Sequence, residues 1–199
     1  GIASAARFDR PQGLAIDGAG VLYVADLGNG RIRTVASDGS VGSLQDSGGN
    51  ADLFNAPRAL ALSDAGQLYV TEDSRHHILR FEPGVGISTF AGIADSADYL
   101  DASGTAARFN TPAGLTFDAD GNLLVADRGN HRIRSASPAG EVSTLAGTGL
   151  AGTQDGTGET AEFDQPLSIT VDPDGQVLVG EATLSTLRSI VSTSVTLQA

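Results

Sequence analysis

Residues 6–26 read ARFDRPQGLAIDGAGVLYVAD, and the pattern returns three times: LFNAPRALALSDAGQLYVTED from Leu53, ARFNTPAGLTFDADGNLLVAD from Ala107 and EFDQPLSITVDPDGQVLVGEA from Glu162. Phe8, Phe54, Phe109 and Phe163 anchor the four copies, each followed three residues later by Pro11, Pro57, Pro112 or Pro166. Successive prolines stand 46, 55 and 54 residues apart. A unit of about fifty residues with several short strands cannot bury its own apolar face, so neighbouring units must stack. That requirement points to a β-propeller or a related array.

Each copy spells strand, tight turn, strand. In the first, Leu14 to Ile16 precede Asp17-Gly18-Ala19-Gly20 and the apolar run from Val21 to Ala25. The matching turns are Ser63 to Gly66, Asp118 to Gly121 and Asp172 to Gly175, where Asp or Ser bonds locally and Gly supplies positive φ. Third strands are expected at Arg31 to Ala36, His77 to Phe81, Arg132 to Ala136 and Thr186 to Val191. Fourth strands follow at Val41 to Leu44, Ile87 to Phe90, Val142 to Leu145 and Val195 to Leu197. The chain is therefore read as one all-β domain, residues 1–199, of four-stranded antiparallel blades over about 8–45, 54–91, 109–146 and 163–199.

Composition narrows the function. The chain has 12 Lys+Arg, all arginine, against 24 Asp+Glu, for a formal net charge of −12. Proteins that grip phosphate backbones rely on clustered cations, so nucleic acid is a poor expected partner. The absence of cysteine excludes disulfides, thiolate metal sites and cysteine nucleophiles, and the absence of lysine excludes Schiff-base chemistry. No apolar run reaches the roughly 20 residues that span a bilayer, so membrane insertion is not expected. Arginine without lysine, with abundant alanine and glycine, suggests a GC-rich bacterial genome. An extracellular or periplasmic setting is favoured.

The strings Phe-Asn-x-Pro-x-Gly-Leu, Asp-x-x-Gly-x-Leu-x-Val-Ala-Asp, Gly-Asn-His-Arg-Ile-Arg and Val-Ser-Thr-Leu-Ala-Gly together resemble the NHL repeat, a β-propeller blade. The third unit carries most of them, through Phe109, Pro112, Gly114, Leu115, Asp118, Gly121, Asp127, Asn130, His131, Arg132 and Arg134. The resemblance implies a propeller fold and is weak for activity, because the family includes protein-binding, RNA-binding and a few enzymatic members. The fourth unit departs, reading Ala182-Thr183-Leu184-Ser185-Thr186-Leu187-Arg188 where the string should fall. Family propellers commonly have six blades and only four are countable here. Three arrangements remain open: a closed four-bladed ring, an open part of a larger ring, or two chains completing or capping one ring as a homodimer.

In such a meander the second-to-third strand loops share a rim with the long links Gln45 to Ala56, Ala91 to Thr111 and Ala146 to Gln165. Binding favours long loops on a rigid frame, which places candidate contacts at Asn29, Arg75, His76, Arg128, Asn130 and His131, with link acids such as Asp95, Asp98, Asp101, Asp155 and Glu159. Asp26, Glu72, Asp127 and Glu181 recur just after each second strand. A ring of four carboxylates is the kind of oxygen set calcium takes, yet a residue demanded in every unit suits a turn amide or an arginine partner better. His76, His77 and His131 are the sole histidines, and adjacent strand residues point to opposite faces, which argues against a zinc site. Gly147-Thr148-Gly149-Leu150-Ala151-Gly152 satisfies the dinucleotide pattern literally, but follows an outer strand and reads as a flexible link. No Gly-x-Ser-x-Gly elbow occurs.

The expected function is a non-catalytic module binding a protein, peptide or glycan through the long-link rim, with no cofactor unless calcium. The alternatives are a metal-dependent propeller enzyme of lactonase or lyase type, and an architectural section of a larger bacterial surface or secreted protein.

Overall fold

The structure, a computed structural model, describes residues 5–51, 53–183, 185–191 and 194–197. Residue 199, the expected end of the fourth blade, and Leu184 lie outside the described residues. Blade 1 contains β1 (Pro11–Ile16), β2 (Leu22–Asp26), β3 (Arg31–Val35) and β4 (Val41–Ser43). Blade 2 contains β5 (Pro57–Leu62), β6 (Leu68–Glu72), β7 (His77–Glu82) and β8 (Gly86–Gly92), and blade 3 β9 (Pro112–Phe117), β10 (Leu123–Asp127), β11 (Arg132–Ala136) and β12 (Val142–Ala146). After β13 (Gly156–Thr157), blade 4 runs β14 (Pro166–Val171), β15 (Val177–Glu181), β16 (Leu187–Val191) and β17 (Ser194–Leu197). Every blade is an antiparallel meander in chain order, and β13 adds a short fifth strand against β17.

Local chemistry makes these hairpins. Asp17 Oδ1 accepts the backbone N–H groups of Ala19 at 3.0 Å and Val21 at 2.9 Å, closing the turn before β2. Asp118 and Asp172 repeat this pattern, and Ser63 Oγ accepts the Gln67 N–H in blade 2. The turn then needs a left-handed residue, supplied by Gly20 at φ 80° and by its three counterparts.

Three apolar cores join four blades. One holds Ala25 and Ile32 of blade 1 against Phe54, Leu60, Leu68 and Val70 of blade 2. The second joins blades 2 and 3 through Tyr69, Ile78 and Phe90 against Phe109, Leu115 and Val125, and the third joins blades 3 and 4 through Leu124 and Ile133 against Phe163, Ile169 and Val179. Phe54, Phe109 and Phe163 thus each fill the seam with the blade before them. Among the described residues no such core joins blade 4 to blade 1. The difference shows at matched positions: Leu60, Leu115 and Ile169 are 6%, 7% and 8% exposed, but Leu14 is 61% exposed. Ile16 at 65% and Phe8 at 39% lie on the same uncovered face. Among the described residues the four blades form an open arc.

The inner strands line one concave groove of about 330 Å³, bordered by Gln12 to Leu14, Arg58 to Leu60, Ala113 to Leu115 and Leu167 to Ile169. They approach so closely there that a Cβ on Gly114 would stand 2.9 Å from the Ile169 nitrogen and 3.0 Å from the Leu167 oxygen. Gly114→Ala should therefore lower stability by about 1–3 kcal/mol in urea unfolding, through overpacking against backbone. Gly18→Ala, with nothing within 4 Å, should stay within about 0.5 kcal/mol of the parent.

Candidate functional site

In blades 1 to 3 the second-to-third strand connections are single helical turns at Leu27–Asn29, Asp73–Arg75 and Arg128–Asn130, each ending in a left-handed residue: Gly30, His76 or His131. The long links meet them on one rim. Asn130 Nδ2 donates to the Asp98 carbonyl at 2.8 Å, and Arg75 pairs with Asp95 at 3.0 Å. The link over residues 91–111 also reaches beyond the rim expected of it. It runs down the outer edge of blade 3, where the Val142 N–H donates to the Ala102 carbonyl and the Gly104 N–H to the Gly140 carbonyl at the opposite turn.

The four recurring carboxylates are buried, and each is committed within its own blade. One oxygen accepts the N–H of the residue after the anchoring phenylalanine: Asp9 to Asp26 at 2.7 Å, Asn55 to Glu72, Asn110 to Asp127 at 2.8 Å and Asp164 to Glu181 at 2.7 Å. The other oxygen takes a side-chain donor whose position depends on the length of the acid. The shorter aspartates use Asn29 and Asn130, both at 2.8 Å; the longer glutamates reach His77 at 2.7 Å and Thr186. The structure therefore does not bring the four acids together as a cation ring. Among the described residues no group of three or more His, Asp or Glu side chains is placed to hold a metal ion.

Arginine completes the arrangement in three blades. Arg134 reaches Asp127 at 2.8 Å and the link residue Asp101, and Arg188 reaches Asp155 at 2.7 Å and lies 3.7 Å from Glu181. Arg33 stands 3.3 Å from Asp26. Burial opposes ionisation of Asp101, but the Arg134 charge and bonds from Arg134 and Thr144 hold it below the ordinary aspartate value. Complete burial pushes Asp127 above that value, against the pull of Asn130, the Asn110 N–H and Arg134. Burial also opposes ionisation of Glu72, yet the His77 bond and the N–H groups of Asn55 and Ala56 hold it below about 4.5.

The six expected contact residues all serve the frame. Asn29 and Asn130 bind the carboxylates, and Arg75 holds a link acid. His76 Nδ1 accepts the Thr111 N–H of the next blade at 3.0 Å, and His131 Nδ1 accepts the Gln165 N–H at 3.2 Å. Arg128 crosses the same seam to the Gln165 side chain at 2.7 Å. Thr111 and Gln165 carry positive φ, a conformation rare outside glycine, immediately before a strand-opening proline. Blade 1 has Gly30 in place of the histidine, and the Ala56 N–H turns instead to Glu72 at 3.2 Å. The sequence signal for this role is the pairing of His76 and His131 with left-handed turn positions. The segment 147–152, with its three glycines, precedes strand β13, not a helix.

Four stacked four-stranded sheets around one groove define a β-propeller architecture. The NHL repeat model matches residues 8–34 and 109–134, and the chain belongs with the NHL-repeat proteins. It is 32% identical to NHL repeat-containing protein 2 of Bos taurus over 180 residues, 87% of this chain and 19% of that protein. A Bacteroides thetaiotaomicron protein of unknown function superposes with a TM-score of 0.77 at 23% identity, covering 96% of this chain and 48% of that one. Virginiamycin B lyase of Staphylococcus aureus superposes at 0.66 with 16% identity, covering 94% and 54%. The chain thus spans about a fifth of its curated relative and about half of these structures.

Two outcomes test the carboxylate frame. Arg134→Leu leaves Asp127 buried without its cation and should cost about 3–5 kcal/mol, measured by urea unfolding at pH 7. Glu72 contributes stability that is complete above its unfolded pKa near 4.5 and is lost as pH falls through its lower folded value. Glu72→Gln should cost about 1–3 kcal/mol at pH 7 and flatten the fall of the urea midpoint between about pH 5 and pH 3.

Proposed function

We propose that this arc is a non-catalytic interaction module that offers its long links to a protein, peptide or glycan. One observation carries the reading. Ile93, Tyr99, Leu100 and Leu150, all exposed, lie on two of the three long links, whereas among the described large apolar residues only Val85 is exposed at the opposite turns. Exposed apolar groups set among polar and charged neighbours are the usual ingredients of a recognition surface. The repeated polar residues below them are occupied in holding blades and links together, so they act as a rigid support for the contact surface. The acidic balance of the chain favours partners with cationic or neutral surfaces over nucleic acid.

The test is selection of ligands for the chain from a peptide library and a glycan array, followed by calorimetry. Ile93→Asp combined with Leu150→Asp should weaken a selected ligand at least about tenfold, a change typical of losing central contacts. Val85→Asp should leave affinity unchanged. A ligand indifferent to the link substitutions but weakened by Val85→Asp would place recognition on the other rim and overturn the reading.

A further inference from the structure

Blade 2 breaks the repeat at one side chain. In blades 1, 3 and 4 the third strand places Arg33, Arg134 and Arg188 opposite Val24, Val125 and Val179. In blade 2 the residue opposite Val70 is Leu79. Each of the three guanidinium groups lies over the anchoring phenylalanine of its blade, 5.1 Å from the Phe8 ring, 5.1 Å from Phe109 and 5.4 Å from Phe163. Each donates to the carbonyl of the residue just before that phenylalanine: Arg7, Arg108 or Glu162, at 3.0, 3.0 and 2.9 Å. Each also faces the buried carboxylate of its blade.

Without the arginine, blade 2 holds a cavity of about 420 Å³. Its walls keep the groups that hold a guanidinium in the other blades: the Phe54 ring, the Glu72 carboxylate and Leu53, with Leu79 and Thr89 beside them. His77 is buried, its Nε2 faces Glu72 Oε2 at 2.7 Å, and its Nδ1 has no hydrogen-bond partner. The bond to Glu72 couples this imidazole to any charge that enters beside the carboxylate. Arg75 at the wall is already neutralised by Asp95, and the net charge of −12 draws cations toward the molecule.

We propose that the blade 2 cavity is a guanidinium site, filled from outside by an arginine side chain or a small guanidinium compound where the other blades use an arginine of their own. The planar cation stacks on Phe54 and pairs with Glu72, a combination that suits guanidinium better than the compact, strongly hydrated ammonium of lysine. The site stands on the cavity alone and does not depend on recognition by the long links.

The experiment is calorimetric titration of the chain with ethylguanidinium, N-acetyl-arginine methylamide and N-acetyl-lysine methylamide, with imidazole ¹⁵N spectra of the same samples. Saturable binding of the first two is expected, with the lysine compound at least about tenfold weaker and the His77 imidazole resonance shifted at saturation through its Glu72 partner. Comparison of the two guanidinium probes assigns the source: a peptide arginine if the capped amino acid binds more tightly, a free guanidinium compound if not. Leu79→Arg, which fills the cavity from within, should abolish binding and raise the melting temperature. Binding that survives Leu79→Arg, an unmoved His77 resonance in the parent, or no saturable binding of either guanidinium probe would overturn the proposal. The resonance decides the matter even if Leu79→Arg does not fold.

Discussion

The bond from a buried carboxylate to the N–H beside the anchoring phenylalanine is the constraint on which each blade depends. It ties the end of the second strand to the segment entering the first, and so fixes where the phenylalanine enters the seam. A carboxylate shielded from water is costly to leave uncompensated, so donors accumulate around it. Asparagine, histidine or threonine meets one oxygen, and arginine adds its charge in three blades. Through Asp101 and Asp155 that arginine also holds the long link against the outer strand. The link in turn carries the exposed apolar residues proposed to meet a partner, so surface and buried frame are parts of one arrangement.

Between blades the cohesion is of another kind. Apolar seams supply most of it, as expected when stacked units bury area that a single unit exposes. The histidines at left-handed turns add direction-specific bonds, which fix the rotation of one blade on the next without adding bulk at the axis. Near the axis glycine does the corresponding work, since Gly13 and Gly114 allow inner strands to approach to backbone distance.

Much of the fold could be read from residues. Period-two strands and Asp-or-Ser to Gly turns are local signals, and four aligned copies made the third and fourth strands of each blade visible within a residue or two. Recurrence also identified the carboxylates as structural, because a cation site requires convergence, whereas these acids each face their own blade. The roles of His76 and His131 were not legible, since they act on backbone positions 34 or 35 residues away whose φ no pattern reports. The cavity escaped notice because Leu79 looks ordinary in a strand; only against Arg33, Arg134 and Arg188 does it read as a vacated place. The link expected to stay on one rim crosses to the other because its backbone pairs with the outer strand, which its alanine-rich composition does not reveal.

The histidine bonds run one way along the array. The acceptor sits on the earlier blade and the donor on the later one, at a left-handed residue whose strain the bond helps to offset. A finished blade therefore offers a template for its successor, while an unfinished successor offers nothing comparable in return. During synthesis from the N-terminus the earlier blade emerges first, so the molecule can assemble in the order in which it is made, like masonry laid in courses.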